Sequence, residues 1–230
     1  MPASSRLRAR RRGPRPARRR IAASERGGSA GARAKRSAER RRAILAAARD
    51  EFAARGFAAA RLDDVARRAG VAKGTIYLHF ADKKALFQEL VRFELTPLVT
   101  GLEQASQADM PLRQFAQQLL DVFVRDVLGT HRKDVIRLVL VEGQRFPELA
   151  EFYYREVVSR VLEAVRRLLR RAHARGELHD DALVRFPQLL AAPAILAIFW
   201  IGLFERFEPL DVRALLQQHF DMVLGSRRAE

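Results

Sequence analysis

From Ser37 to the end of the chain, apolar residues recur at the spacing of amphipathic helices, and no stretch alternates as a half-buried strand would. Ile44, Ala48 and Phe52 follow one another every four residues, so they share one face of a helix that Gly56 ends. Glycine and proline separate further helical segments downstream. The pattern therefore predicts an all-α fold.

Short helices follow the first one. One short helix ends at Gly70, and a second is marked by Ile76 and Phe80. Asp82 is then well placed as the N-cap of a longer helix. The remaining helices are expected near residues 111–128, 132–144, 147–176, 180–206 and 210–224.

Positive charge is concentrated at the N-terminus. The chain carries a formal net charge of +16, and residues 1–42 contain 16 Lys or Arg against two acidic residues. Residues 1–35 have almost no large aliphatic side chain to bury, which excludes a signal peptide and a core. We expect residues 1–35 to form a disordered Arg-rich arm. Three alternatives remain: a solvated tail without function, a start codon placed too early, or a mitochondrial presequence.

The run from Leu189 to Phe204 lacks any charged residue. It is shorter than the roughly 20 residues of a membrane-spanning helix and contains Pro193. A helix that is apolar on all sides must still be covered, by its own core or by a partner subunit. We therefore expect no membrane association.

The two short helices have the features of a helix-turn-helix. Gly70 supplies the left-handed turn residue, Ala66 is small where the helices must cross, and Ile76 is the apolar residue that holds the second helix on the first. The opposite side of the second helix, around residues 73–79, is then free to enter a DNA major groove. Helical hairpins with glycine turns are common, so the spacing alone does not decide the function.

A longer motif covers this region. It consists of Gly56-Phe57, Leu62-Asp63-Asp64-Val65-Ala66, Ala69-Gly70-Val71, Lys73-Gly74-Thr75-Ile76-Tyr77-Leu78-His79-Phe80 and Asp82-Lys83-Lys84-Ala85-Leu86-Phe87. The motif closely resembles the signature of the TetR family, named for tetracycline repressor, over about fifty residues without a gap. The resemblance implies about nine helices, with a helix-turn-helix head over 36–82 and an effector-binding and dimerisation domain over 83–230. It further implies a homodimer that binds a palindromic double-stranded DNA operator.

The resemblance also implies roles for individual residues of the head. Lys73, Gly74 and Thr75 open the recognition helix and would meet base edges and phosphates, whereas Tyr77 and His79 would hold the DNA backbone. The remaining candidates are Arg61 and Lys83, which would contact phosphate, and Leu78, which would contact a thymine methyl group. Relatives usually have Thr or Ser where this chain has Arg61 and Ala72, and each replacement loses a side-chain cap of about 1 kcal/mol.

The larger domain is expected to bind a small apolar effector that loosens the grip on DNA, as the resemblance implies. The aromatic candidates for lining its ligand site are Phe115, Phe123, Phe146, Tyr153 and Trp200, although an aromatic at helical spacing is more often plain core. The apolar helix near 189–204 and the helix at 210–224 resemble the two dimerisation helices of the family.

Other functions remain as alternatives. An enzyme is not expected, because phosphate loops, nucleophile elbows and paired-histidine metal motifs are missing from the sequence. No catalytic residue, metal or cofactor is therefore assigned. A TetR-like activator, or a non-specific nucleoid protein driven by the arginine arm, stays open. The absence of cysteine suits a reducing compartment, and we expect a bacterial cytoplasmic protein associated with the nucleoid.

Overall fold

The computed structural model describes the backbone of residues 21–225 and the side chains of residues 31–225. Over this range the chain is helical and contains no strand, which confirms the predicted all-α fold. In chain order the α-helices are α1 (Ile21–Ala59), α2 (Leu62–Arg68), α3 (Lys73–His79), α4 (Lys83–Ala105), α5 (Leu112–Val122), α6 (Arg132–Glu142), α7 (Pro147–Tyr153), α8 (Ser159–Ala174), α9 (Ala182–Arg185), α10 (Gln188–Leu203) and α11 (Val212–Val223).

Two π-helical segments continue these α-helices. Phe123–Leu128 extends α5, and Tyr154–Val158 joins α7 to α8, so each forms part of one longer helix. A π-helical turn is uncommon and often occurs beside a functional site. Both segments contribute residues to the cavity described below.

The helix expected over 180–206 is interrupted. Pro187 disfavours the helical conformation of the residue before it, and Phe186 accordingly has φ −122° and ψ 65°. The segment is therefore divided into the short α9 and the longer α10. In residues 21–225 no helix combines the length and the apolar character needed to cross a bilayer.

The N-terminal arm was expected to be disordered over residues 1–35. Residues 1–20 lie outside the described residues, but the backbone is helical from Ile21 onward. The arm expected over residues 1–35 therefore overlaps with the start of α1, and its boundary at residue 35 stays a prediction. Residues 21–35 contain five alanines, which favour helix strongly, together with three glycines and two arginines.

By its contacts the chain divides into residues 1–43 and residues 44–230. The side chains of residues 31–43 are all exposed. The second unit contains two apolar cores, one formed by the head with α4, α6 and α7, the other formed by α5, α8, α10 and α11. Val161 packs against both cores.

The turn between α2 and α3 follows from Gly70, which has φ 65°. The N–H of Val71 donates to the carbonyl of Ala66 at 3.0 Å, and the N–H of Gly70 donates to the carbonyl of Arg67 at 3.2 Å. These two bonds form a Schellman motif, in which a left-handed glycine satisfies the last carbonyls of a helix. Ile76 on α3 is completely buried, as the sequence predicted.

Candidate functional site

The outer face of α3 exposes both apolar and basic side chains. Ile76 and Phe80 point inward and are buried, so the residues between them point outward. Leu78 is 86% exposed and Tyr77 is 47% exposed. The remaining candidates on this helix are the exposed Lys73, Gly74 and His79 and the half-buried Thr75. The structure therefore brings six of the eight predicted DNA-contacting residues together on one short helix.

A carboxylate of α2 organises two of these residues. The Lys73 ammonium lies 2.8 Å from Asp63 Oδ2, and the Tyr77 hydroxyl donates to Asp63 Oδ1 at 3.5 Å. The hydrogen bond from Lys73 lowers the pKa of the Asp63 carboxyl, and the same bond raises the pKa of Lys73. Asp63 therefore remains charged and holds both side chains at the start of the recognition helix.

Sequence reasoning did not assign a role to Asp63. The positions of the two residues were nevertheless informative, because Asp63 stands in the first turn of α2 and Lys73 opens α3. Two helices joined by a tight turn bring such positions close together. The turn geometry, rather than any residue pattern, reveals the contact.

Lys83 was predicted to contact phosphate, and the structure gives its ammonium other partners. Its Nζ donates to the carbonyls of Phe57 at 2.9 Å and Ala58 at 2.6 Å, and it lies 4.9 Å from the centre of the Phe57 ring. An ammonium has three protons, so these bonds occupy most of its capacity. The neighbouring Lys84 is exposed and is the freer cation at the start of α4.

The two positions that depart from the usual caps behave as expected. Arg61 and Ala72 precede α2 and α3 in extended conformation, and neither makes a side-chain capping bond. Arg61 is exposed at the edge of the head. Asp82, in contrast, caps α4 by accepting from the N–H of Ala85 at 2.7 Å, as predicted.

The larger domain contains an apolar cavity of about 440 Å³. Its walls come from α4, from the two helices that contain the π-helical segments, and from α6 and α10. Three of the predicted ligand-contacting aromatics, Phe115, Phe123 and Tyr153, line it. The cavity lies within the usual size range of small-molecule sites, about 300–1,000 Å³.

The other two predicted aromatics lie elsewhere. Phe146 packs edge-on against Phe57, with ring centres 4.9 Å apart, and so belongs to the core of the head. Trp200 is directed toward the chain after α10, where its indole N–H donates to the carbonyl of Glu208 at 2.8 Å. Neither side chain is part of the cavity wall.

Few polar groups line the cavity, and none of them is basic. They are Gln118, Asp126 and Tyr153. The guanidinium of Arg125 donates to both carboxylate oxygens of Asp126, at 3.0 and 2.8 Å, and lowers the pKa of that carboxyl. Burial raises the pKa of Tyr153 to about 12, so its hydroxyl remains neutral. Among residues 31–225 no group of three or more metal-ligating side chains forms a metal site.

A stripe of large apolar side chains follows the outer face of α10. Leu189, Leu196 and Leu203 recur every seven residues, and their exposed fractions are 43%, 50% and 56%. On α11, Met222 is also exposed. Exposed apolar patches of this kind mark protein interfaces. Ile198 of the same helix is buried and faces the cavity instead.

A helix-turn-helix with an exposed recognition helix, followed by a larger helical domain with an apolar cavity, defines a class of DNA-binding regulators. Residues 44–90 match the family model described as bacterial regulatory proteins, tetR family. Residues 111–223 match the model described as tetracyclin repressor-like, C-terminal domain. The chain therefore belongs to the TetR family of DNA-binding transcriptional regulators. The division into domains at 35/36 and 82/83 stays a prediction.

Individual relatives agree with this assignment. The transcriptional repressor BepR of Brucella suis biovar 1 is 33% identical over 155 residues, which cover 63% of this chain and 71% of BepR. The transcriptional activator FasR of Mycolicibacterium smegmatis is 36% identical over 85 residues, which cover 37% of this chain and 39% of FasR.

Among solved structures, the complex of SmeT with triclosan has a TM-score of 0.67 at 21% identity, and the match covers 80% of this chain and 91% of that one. SmeT is the repressor of the Stenotrophomonas maltophilia multidrug efflux pump SmeDEF. At 21% identity, this similarity shows that the two chains share a fold.

Proposed function

We propose that this protein is a dimeric, operator-binding transcriptional repressor that releases DNA when a small apolar molecule occupies its cavity. One observation carries the proposal: α4 belongs to both functional regions. Its first turn contains Lys83, which bonds to the head, and its later turns line the cavity. A ligand that displaces α4 therefore acts directly on the position of the recognition helix.

The exposed side chains of α3 support operator reading. Lys73 and Thr75 stand where a recognition helix meets bases, while Leu78 can contact a thymine methyl group. Arg61, Tyr77, His79 and Lys84 would hold the phosphates on either side. A specific reader should prefer its operator over random duplex by about 10³-fold or more.

The stripe on α10 supports a homodimer. Two copies of α10 and α11 would cover Leu189, Leu196 and Leu203 in a four-helix bundle. A two-fold dimer places two recognition helices against two half-sites, so the operator should be a palindrome.

Release requires that the ligand bind better to the conformation that does not fit DNA, since equal affinity for both conformations shifts nothing. A coupling of about 1–3 kcal/mol would weaken operator binding roughly 5–150-fold. The SmeT structure in complex with triclosan and the description of BepR and SmeT as repressors favour this direction. FasR, an activator, is the alternative precedent.

The first test is fluorescence anisotropy with duplexes tiled across the region upstream of the chain's own gene. We expect one palindromic duplex to bind far more tightly than a shuffled duplex of equal length. Equal affinity for all duplexes would instead support a non-specific nucleoid protein. A reporter driven by the bound promoter then separates repression from activation by the sign of its response to deletion of the regulator. Such a protein would act at the nucleoid of the bacterial cytoplasm, and no catalytic role is assigned to it.

A further inference from the structure

A second cavity of about 160 Å³ adjoins the first one. Leu102, Leu119, Phe123 and Val161 line both cavities and so form part of the partition between them. The second cavity extends between α8, α10 and α11. Rotations of a few apolar side chains, which occur on the nanosecond scale where packing permits, would join the two cavities into one elongated space.

The polarity of this space differs between its two ends. Every residue that lines the second cavity is apolar. The polar side chains Gln118, Asp126 and Tyr153 belong only to the first cavity. A molecule that fills both cavities must therefore have an apolar tail at one end and its hydrogen-bonding group at the other.

The available partners define the charge of that group. No lysine, arginine or histidine lines either cavity, and Arg125 already neutralises Asp126. Among the described residues, neither the Tyr153 hydroxyl nor the Gln118 amide has a hydrogen-bond partner. Together they offer both donors and acceptors, which suit a hydroxyl or carbonyl group. Gln118 is exposed and Asp126 is half-buried, so the polar end of the space lies toward its mouth. A carboxylate there would meet the Asp126 carboxylate and no basic side chain, and an ammonium would meet only a carboxylate that already pairs with Arg125.

We propose that the effector is a neutral, elongated amphiphile of the long-chain alcohol class. Its polar group bonds to Gln118 and Tyr153 in the first cavity, and its hydrocarbon tail passes Leu102 and Phe123 into the second. This inference rests on the proposed ligand-responsive function and adds the charge and shape of the ligand to it.

The charge is tested with three probes of equal chain length: 1-dodecanol, dodecanoate and dodecyltrimethylammonium. The full chain is titrated with each probe below its aggregation concentration, and binding is measured by isothermal titration calorimetry. We expect dodecanol to bind roughly tenfold or more tightly than either ion, because neither ion meets an unpaired opposite charge in the cavity. Equal or tighter binding of an ion, or no binding of dodecanol, would overturn the proposal.

The shape is tested with alcohols of increasing length and with Ala194→Leu, which fills the second cavity. In the unmodified protein each added methylene should tighten binding by up to roughly fourfold until the second cavity is full. In Ala194→Leu the gain should stop at a shorter chain, while short alcohols bind as before. Ala174→Leu, at an exposed position of α8 outside both cavities and away from the stripe on α10, is the matched control.

If both variants behave alike, the second cavity does not receive the tail and the shape proposal is wrong. Operator affinity without ligand is measured on the same samples. If the unmodified protein binds no operator, the proposed function is wrong. If it binds its operator but does not respond to alcohols, only the present inference is wrong.

Discussion

The Glu142 carboxylate at the end of α6 accepts a hydrogen bond from the backbone N–H of Phe57 at 3.1 Å, across 85 positions of the chain. Gly56, just before this N–H, has φ 70°, and a Cβ on it would overlap with the same carboxylate. The Lys83 ammonium donates a hydrogen bond to the backbone carbonyl of the same residue, Phe57. The turn that ends the core helix of the head is thus held by one residue of α4 and one of α6.

Replacement of Glu142 by alanine should destabilise the protein and weaken operator binding. The buried N–H of Phe57 would lose its acceptor, which costs about 1–3 kcal/mol of unfolding free energy. Urea unfolding and anisotropy on the operator measure the two effects. Glu148→Ala, at an exposed glutamate of α7, is the control and should change neither. An unchanged unfolding midpoint in Glu142→Ala would show that this hydrogen bond does not support the head.

Asp63→Asn should increase affinity for all DNA and reduce discrimination. The substitution removes a negative charge beside the groove and releases Lys73, which can then bind any phosphate. We expect random duplex to gain more than operator, with a steeper salt dependence for both. Because the pKa of Asp63 is lowered in the folded protein, its contribution is present above the ordinary carboxyl pKa and is lost only as the pH falls through the lowered value.

Asp50→Asn is the control for Asp63→Asn, since Asp50 is exposed and pairs with its neighbour Arg49. It removes the same charge from the chain without touching Lys73. A rise in DNA affinity of equal size in both variants would attribute the effect to net charge and refute a specific role for Asp63.

How much of this arrangement was predictable depends on whether a contact is local. Ile76 and Phe80 were assigned to the core correctly, because a four-residue spacing defines one face of a helix. The turn at Gly70 and the N-cap at Asp82 were predicted equally well, since a turn glycine and an N-cap act within a few residues.

Contacts between distant segments were not predictable. The sequence marks Phe146 as an aromatic candidate for the cavity, but it does not show that its ring packs against Phe57 instead. It likewise marks Lys83 as a cation at a helix start, whereas the carbonyls that receive its protons come from the end of another helix. Such partners depend on how helices cross, which one sequence does not encode in a visible period.

The two neighbouring lysines of α4 should have different roles. Lys83→Ala leaves the carbonyls of Phe57 and Ala58 without their cation and should lower the unfolding free energy by about 1–3 kcal/mol. Lys84→Ala should leave stability unchanged, weaken operator and random duplex equally, and reduce the salt slope by about one. Thermal unfolding and salt-dependent anisotropy of both variants separate the roles. Equal stability of the two variants would contradict the structural role of Lys83.

A glutamate on the exposed stripe of α10 should dissociate the dimer. Leu196 is half exposed, so Leu196→Glu places a charge on the proposed interface without disturbing the core of the subunit. Ile198→Glu is a poorer test, because Ile198 is buried beside the cavity. Sedimentation velocity at micromolar concentration should show a dimer for the unmodified protein and a monomer for Leu196→Glu. Leu78→Glu, on the equally accessible recognition helix, should remain dimeric.

Removal of residues 1–20 should weaken binding to operator and random duplex by similar factors. This segment carries nine arginines and no acidic residue, and α1 as described begins after it. Arginine contacts with phosphate carry no base information, so their loss should leave the preference for the operator intact while the salt dependence becomes shallower by about 0.9 per lost contact. A second variant with the nine arginines replaced by glutamine keeps the length of the arm and should reproduce the effect of the deletion. Anisotropy between 50 and 200 mM salt, on the order of the range over which such contacts weaken, measures both quantities. Unchanged affinity in the deletion variant would mean that this segment makes no contact with DNA.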